Sequence, residues 1–410
     1  MLKHFNLKNS LLVLLFEGGL FALLLLFISL ENMLLFALAG AVVIGLFTWI
    51  KRSFSDQLGQ IPKLIKENKL TAIIFALILV FVFPITQAGN PYWIQIAIIC
   101  GLYVLMALGL NIVVGNAGLA CLGYIAFYAL GAYTSGLLTL KAGISFWITL
   151  PLSGLVAMVF GFLLGLPALR VKGHYFSLIT TAFGLVIQQL LINLEGITGG
   201  TNGVINIPAP RIGNHSFAAP LDLGFIRLPF QANYYFLVIV LVALGLYIAY
   251  RVSSSLVGLS WNAMREDSIA AQCYGVNLTK NKLWAFALGA SFGGIAGAVY
   301  ANMIGFISPE NFTYTQSTLI LSMIILGGID SIPGVALGAI LLTIIPEKFR
   351  AFEDYRMLFY GVIIVFMLLF KPDGIIPAKS RKYSLDNISE ESEIGVADQR
   401  VKEKQPAAIG

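Results

Sequence analysis

Long apolar segments recur along nearly the whole chain and constrain its fold more than any other feature. A helix needs about 20 predominantly apolar residues to cross a bilayer. The chain is 58% hydrophobic and only 11% charged, whereas about 25% of the residues of a soluble domain are charged. The sequence therefore predicts an all-α fold, a polytopic integral membrane helical bundle.

The apolar segments predict about ten to twelve transmembrane helices. The weakest candidate is residues 317–329, which is short for a span. The glycine-rich stretch at 327–334 that follows it is compatible with a re-entrant turn, which needs protein or water around it. The candidate spans are residues 11–30, 33–50, 70–85, 92–114, 119–140, 146–169, 176–194, 234–251, 283–304, 317–329, 335–345 and 357–370.

The distribution of Lys and Arg predicts the orientation of the chain. Threading the spans from a cytoplasmic N-terminus places most of the 26 Lys and Arg residues on one side, including those in loops 51–69, 251–282 and 371–382. Basic loops stay in the cytoplasm, where they meet anionic lipid headgroups. We therefore expect a multi-pass protein of the bacterial cytoplasmic membrane with both termini in the cytoplasm. We expect the net charge of +6 to interact with membrane lipid, and we expect no nucleic-acid partner.

Both ends of the chain differ from its centre. Residues 1–69 predict N-terminal membrane anchor helices followed by a basic cytoplasmic loop. Residues 379–410 balance acidic and basic side chains and hold few large apolar ones. Such a composition cannot bury enough apolar surface to fold, so we expect a disordered cytoplasmic tail.

The loop at 251–282 carries charges of both signs and the signals of a short ordered helix. Asp267 or Ser268 suits the N-cap, residues 269–274 lack Gly and Pro, and Gly275 suits a left-handed position after the helix. We therefore expect a rigid helical element outside the bilayer.

The motifs that would mark an enzyme are missing from the sequence. It has no Gly-x-x-x-x-Gly-Lys-Ser/Thr loop for ATP phosphates and no His-Glu-x-x-His zinc-protease pattern. Cys100, Cys121 and Cys273 are too far apart in sequence for a metal motif. We predict no catalytic residues and no metal site.

Uncharged polar residues inside the candidate spans allow two interpretations. Such side chains commonly hydrogen-bond neighbouring helices, and small residues commonly mark close helix packing. They also suit a path for a neutral or zwitterionic solute, with glycine breaks that let a helix bend around it. The candidate path residues are Asn111, Asn116, Gly118, Gln188 and Asn193.

Several short motifs in a fixed order resemble the permease subunits of ATP-binding-cassette importers for branched-chain amino acids, of the LivM type. The resemblance covers about residues 70–377 and implies a core permease domain at 70–378 with the fold of those permeases. The matching stretches lie at residues 109–124, 131–133, 169–175, 181–184, 198–203, 265–271, 306–310 and 326–328.

The resemblance also implies an ATPase-coupling loop at 251–282. Related permeases carry a Glu-Ala-Ala-x-x-x-Gly pattern whose short helix seats in a cleft of the ATPase. Here Ile269 replaces the glutamate, so we expect an apolar contact bordered by charges. The expected coupling residues are Arg265, Glu266, Asp267, Ile269, Ala270, Ala271, Tyr274 and Gly275.

The implied partners are a second, LivH-like permease, two ATPase subunits that bind the ATP, and a periplasmic or lipid-anchored binding protein. A permease for urea or short-chain amides with the same fold is the near alternative. A stand-alone ion-coupled carrier is a different one, and Glu17 in the first apolar segment is its best candidate residue. A non-transporting scaffold or enzyme has no positive support in the sequence.

Overall fold

The structure is a computed structural model that describes residues 69–168, 174–213, 215–222, 227–348 and 369–378, with isolated positions at 17–19, 21, 22, 25, 358, 361, 362, 365 and 366. Nearly all of the predicted anchor and basic loop at 1–69 lies outside the described residues. The predicted tail at 379–410 lies outside them entirely.

Helices account for most of the described residues. Their order is α1 (Lys69–Thr86), α2 (Pro91–Asn111), a π turn (Ile112–Asn116), α3 (Ile125–Lys141), α4 (Phe146–Ala168), α5 (His174–Asn193), α6 (Glu195–Thr198), α7 (Gln231–Ser253), α8 (Leu256–Glu266), α9 (Ser268–Cys273), α10 (Leu278–Ile304), α11 (Tyr314–Gly327) and α12 (Ile332–Lys348). Within these residues, five helical segments are long and apolar enough to cross a membrane: Pro91–Asn116, Phe146–Pro167, Tyr175–Asn193, Gln231–Ser253 and Leu278–Ile304.

Short strands lie between α6 and α7 and after α10. They are β1 (Val204–Ile205), β2 (Arg211–Ile212), β3 (His215–Ser216), β4 (Leu221–Asp222), β5 (Arg227–Leu228) and β6 (Phe306–Ile307). β2–β3 and β4–β5 are antiparallel pairs of neighbouring strands, and β1 pairs with the distant β6. We call this end of the bundle the hairpin end, and the opposite end, which carries α8 and α9, the α8–α9 end.

Helix α10 lies at the centre of the bundle and packs against α2, α3 and α4. Glycines allow the backbones to touch. A Cβ added at Gly131 of α3 would lie 2.1 Å from the carbonyl oxygen of Gly294, and one at Gly297 would lie 2.1 Å from that of Tyr128. The expected close packing of small residues is therefore confirmed for α10.

The predicted span at 119–140 is wrong at its start, because α3 begins only at Ile125. The chain between the π turn and α3 is irregular, and hydroxyl groups of other helices bind its backbone. The Leu122 N–H donates to Thr180 Oγ1 at 3.1 Å, and the Ile125 N–H donates to Ser317 Oγ at 2.9 Å. Such partners make a non-helical segment tolerable inside the protein.

Helix α12 runs antiparallel to α2 along its length. At one end, the Asp330 N–H donates to Asn111 Oδ1 at 3.0 Å, and at the other end Tyr92 Oη donates to the Glu347 carboxylate. The glycine-rich turn between α11 and α12 therefore lies at the α8–α9 end of the bundle. The structure favours two antiparallel helices over a re-entrant turn at 327–334.

We predict that Gly131→Ala destabilises the bundle. The added methyl group would overlap the Gly294 carbonyl, and overpacking of this kind lowers the free energy of unfolding by about 1–3 kcal/mol. The melting temperature of the purified protein in detergent measures the effect. Gly196→Ala is the matched control, because nothing lies within 4 Å of a Cβ there. Equal melting temperatures for the two variants would contradict the packing of α3 on α10.

Candidate functional site: the α8–α9 end

Helix α8 is anchored to the bundle by its apolar face. Ser255 caps its start by accepting a hydrogen bond from the Gly258 N–H at 3.3 Å. Trp261 is fully buried, and its indole N–H donates to the Asn281 carbonyl at 2.9 Å. Met264 is buried on the same face. The helix therefore lies flat against the first turn of α10 instead of extending from the bundle.

Helix α9 has the caps that its sequence predicts. Asp267 Oδ1 accepts hydrogen bonds from the N–H groups of Ile269 and Ala270, at 2.8 and 3.0 Å. Gly275 has a φ of +85°, which ends the helix in the left-handed region that favours glycine. The structure thus confirms a short, doubly capped helix and adds α8, which we did not predict as a separate helix.

Large apolar side chains are exposed at α9 and just after it, next to the exposed polar residues Ser268 and Gln272. The side chains of Ile269 and Tyr274 are 74% and 90% exposed, and Ala270 is exposed between them. Ala271 is only 4% exposed and packs inward. The exposed surface of the helix therefore contains the residues that we expected at an apolar contact, with the exception of Ala271, which supports the helix from beneath.

Arg265 does not lie on the exposed rim, so its expected position is wrong. One guanidinium nitrogen, Nη1, donates to the Gly115 carbonyl at 2.5 Å and lies 3.2 Å from Asp330 Oδ2. The other, Nη2, lies 3.3 Å from the carboxylate of Glu266. Glu266 and Asp267 are exposed, as expected for a charged rim. Arg265 turns inward because a carbonyl and a buried carboxylate offer it two acceptors there.

Three of the predicted path residues meet beside Arg265. Asn111 accepts from the backbone of Asp330, and Asn116 Nδ2 donates to Ser253 Oγ at 2.5 Å. Gly118 packs on the arginine stem, where an added Cβ would lie 2.7 Å from Arg265 Cγ. These contacts join α2 and its π turn to α7, α8 and the α11–α12 turn, as the helix-packing interpretation expects.

The other two predicted path residues lie elsewhere. Gln188 Nε2 donates to the Pro309 carbonyl at 3.3 Å, toward the hairpin end. Asn193 is exposed at the last residue of α5. The structure therefore does not bring the five candidates together in one site.

A cleft of about 1120 Å³ opens next to the Arg265 contacts. Its walls include Tyr250, Ser254 and Leu256 on one side and Asp330 and Ile376 on the other. We did not predict a role for Asp330. The signal in the sequence is an acidic residue within a glycine-rich turn between two apolar segments, but its partner Arg265 is too distant in sequence to be identified.

No group of three or more His, Cys, Asp or Glu residues that could hold a metal ion occurs in the part of the chain that the structure describes. Cys100 and Cys121 are buried as free thiols, and Cys273 is exposed on α9.

The family described as "Branched-chain amino acid transport system / permease component" matches residues 92–368, which include α2 from its second residue and α3 to α12 with the α8–α9 end. The chain belongs to this family. The apolar helices of this permease and its family membership identify it as a multi-pass protein of the inner membrane.

Curated relatives cover most of the permease. It is 35% identical over 371 residues to the high-affinity branched-chain amino acid transport system permease protein LivM of Escherichia coli. This alignment covers 85% of this chain and 86% of the relative. It is 40% identical over 296 residues to LivM of Salmonella typhimurium, covering 69% and 70%. It is 24% identical over 287 residues to the permease protein LivH of Escherichia coli, covering 67% and 91%. No solved structure matches the chain. The LivM-type resemblance is confirmed.

We predict that Asp267→Ala loosens α9 without unfolding the permease. Loss of an N-cap costs about 1 kcal/mol, which increases the opening equilibrium of the helix about fivefold. Hydrogen exchange of the peptide that spans residues 268–275 measures this change. Asp267→Asn retains an acceptor for the Ile269 and Ala270 N–H groups and should exchange like the parent. Unchanged exchange in Asp267→Ala would refute the cap.

Proposed function

We propose that this permease forms part of the membrane path of an ATP-driven importer for leucine, isoleucine and valine, and that α9 couples it to a separate ATPase. The observation that carries the proposal is the exposed apolar surface of a short, capped helix at the α8–α9 end. Large exposed apolar side chains beside charged residues are typical of a protein contact. The names of the LivM relatives support the solute class.

The exposed residues of α9 support the proposed ATPase contact. Ile269, Ala270 and Tyr274 would enter an apolar cleft of the ATPase, and the exposed carboxylates of Glu266 and Asp267 would border it. Gly275 ends the helix at this contact. Two ATPase subunits bind ATP in this scheme, so the permease itself needs no cofactor.

The likeness to LivH supports a second, LivH-like permease as the partner within the membrane. A periplasmic or lipid-anchored protein would deliver the solute at the hairpin end, where residues 198–203 and 306–312 form structured turns. In this proposal the chain has ten to twelve transmembrane helices, and both termini and the α8–α9 end face the cytoplasm. The proposed domains are the anchor at 1–69, the core at 70–378 with the coupling loop at 251–282, and the tail at 379–410.

A mechanism of alternating access is consistent with these parts. Closure of the ATPase dimer on ATP would displace α9 as a rigid body, and the two permeases would switch between outward-facing and inward-facing states. Asn111, Asn116, Gly118, Gln188 and Asn193 remain proposed path residues. The uncharged amide side chains of the four Asn and Gln residues suit a zwitterionic solute, because they offer hydrogen bonds without holding an ion.

Uptake by the purified complex tests the solute and the energy source. The complex is isolated through an affinity tag on this permease and reconstituted in proteoliposomes with the binding protein. We expect ATP-dependent uptake of radiolabelled leucine and no uptake of urea. Uptake of urea in place of leucine would favour the amide permease. Uptake by this chain alone under an ion gradient, without ATP, would favour the ion-coupled carrier.

We predict that Ile269→Arg prevents the ATPase from co-purifying with the permease. A charge at the centre of an apolar contact costs several kcal/mol, whereas the exposed position lets the permease itself fold. Quantitative mass spectrometry of the pull-down measures the ATPase, with an expected drop of about tenfold or more.

The matched control for this experiment is Ile212→Arg. Ile212 is also an exposed isoleucine, but it lies on β2 at the hairpin end. The control should retain the parental amount of ATPase. An undiminished ATPase signal in Ile269→Arg would remove α9 from the proposed contact.

A further inference from the structure

The side chain of Arg265 connects three elements at the α8–α9 end. It extends from the last turn of α8, donates to the Gly115 carbonyl in the π turn, and pairs with Asp330 in the turn between α11 and α12. Asp330 in turn donates its backbone N–H to Asn111, at the end of α2. We call Arg265, Asp330, Gly115 and Asn111 the clamp.

The clamp is largely removed from water. The side chain of Asp330 is 8% exposed and that of Arg265 is 30% exposed. Charge pairs at such depth interact more strongly than the exposed pair of Arg227 and Asp222 at the hairpin end, whose side chains are 86% and 60% exposed. Separation of Arg265 from Asp330 would leave a buried charge without compensation, so the elements that carry them are held together.

The segments that the clamp joins have unusual backbones. Gly115 lies in a π turn, and π turns inside helices occur frequently at functional sites. Asp330 has a φ of +68°, a conformation that few residues other than Gly, Asn and Asp adopt. Gly118 has a φ of +69° and packs directly on the Arg265 stem. These irregular turns lie where α2 and α11 end. They can change shape more readily than regular helices can.

Only two residues, Glu266 and Asp267, separate α9 from Arg265 of the clamp. Asp267 ends α8 and caps α9 at the same time, so the two helices share one connection. A displacement of α9 is therefore transmitted to the end of α8 that carries Arg265. The arginine stem packs closely on the backbone of Gly118, where an added Cβ would lie 2.7 Å from Arg265 Cγ.

We propose that the clamp transmits the displacement of α8 and α9 to the π turn of α2 and to the α11–α12 turn, and that Arg265 and Asp330 are positioning residues for transport. This inference rests on the proposed function and deepens it. Arg265 acts within the permease, through Gly115 and Asp330, whereas the exposed residues of α9 and its two flanks meet the ATPase. The clamp links ATP hydrolysis to the opening of the bundle.

The test compares uptake per ATP hydrolysed in the reconstituted complex. Arg265→Met/Asp330→Asn removes both charges at once, so no buried charge is left alone. Met keeps an unbranched stem against Gly118, and Asn accepts the left-handed backbone of residue 330. We expect the ATPase to co-purify and hydrolyse ATP as in the parent, while leucine uptake per ATP falls about tenfold.

Hydrogen exchange distinguishes transmission from a purely structural role. In the parent complex, ATP binding should change the exchange of peptides that contain residues 112–118 and 328–331. In the double variant this nucleotide-dependent change should vanish, while the change at 268–275 on α9 remains. A purely structural role would alter exchange equally with and without nucleotide.

Arg227→Met/Asp222→Asn is the matched control, because it removes an ion pair of the same composition at the hairpin end. It should leave uptake per ATP unchanged. Arg265→Lys should lose part of the coupling and retain more of it than the double variant, because Lys keeps a charge beside Asp330 but lacks the planar guanidinium that lets Nη1 reach Gly115 and Asp330 at once. If the double variant fails to assemble, an unchanged uptake per ATP in Arg265→Lys overturns the inference.

Parental uptake per ATP and parental exchange changes in the double variant would overturn the inference and leave the proposed function intact. Failure of the parent complex to take up leucine with ATP would overturn the proposed function and the inference with it.

Discussion

The fold depends on the close approach of α10 to three neighbouring helices. Inside a lipid bilayer no hydrophobic force drives helices together, so van der Waals contact and hydrogen bonds must hold them. Gly131 and Gly297 supply that contact by letting backbones touch. The tyrosine hydroxyl of Tyr124 adds a 2.7 Å hydrogen bond to the Gly289 carbonyl across the same interface. The breaks and turns elsewhere are possible because this central packing holds the surrounding helices in place.

Local signals made much of the fold predictable from the sequence. The apolar segments located α2 and α7 closely, and Asp267 and Gly275 located the ends of α9, because caps act within one helical turn. The two-residue strands were not predicted, since they are too short to show an alternating pattern. The irregular segment before α3 depends on the hydroxyls of Thr180 and Ser317, which belong to distant helices.

The candidate site was predictable only where its determinants are local. The short helix could be placed from its caps, but the direction of Arg265 could not. Its partners, Gly115 and Asp330, lie in separate parts of the chain, and no local pattern marks either of them as its acceptor. The prediction that Ala271 lies at the contact fails for a related reason, because its inward direction depends on how α9 lies against the bundle.

Burial of the Arg265–Asp330 pair is difficult to explain by stability alone. Two apolar residues of similar volume often stabilise a protein as well as a buried ion pair does, because desolvation offsets the attraction between the charges. A charge pair differs in its directionality: Arg265 holds its acceptors at defined positions, Gly115 in the π turn and Asp330 before α12. An apolar contact would let α8 slide over these turns. The proposed coupling, in which a short helix moves one end of the bundle, requires a contact that does not slide, and the ion pair lies beside that helix.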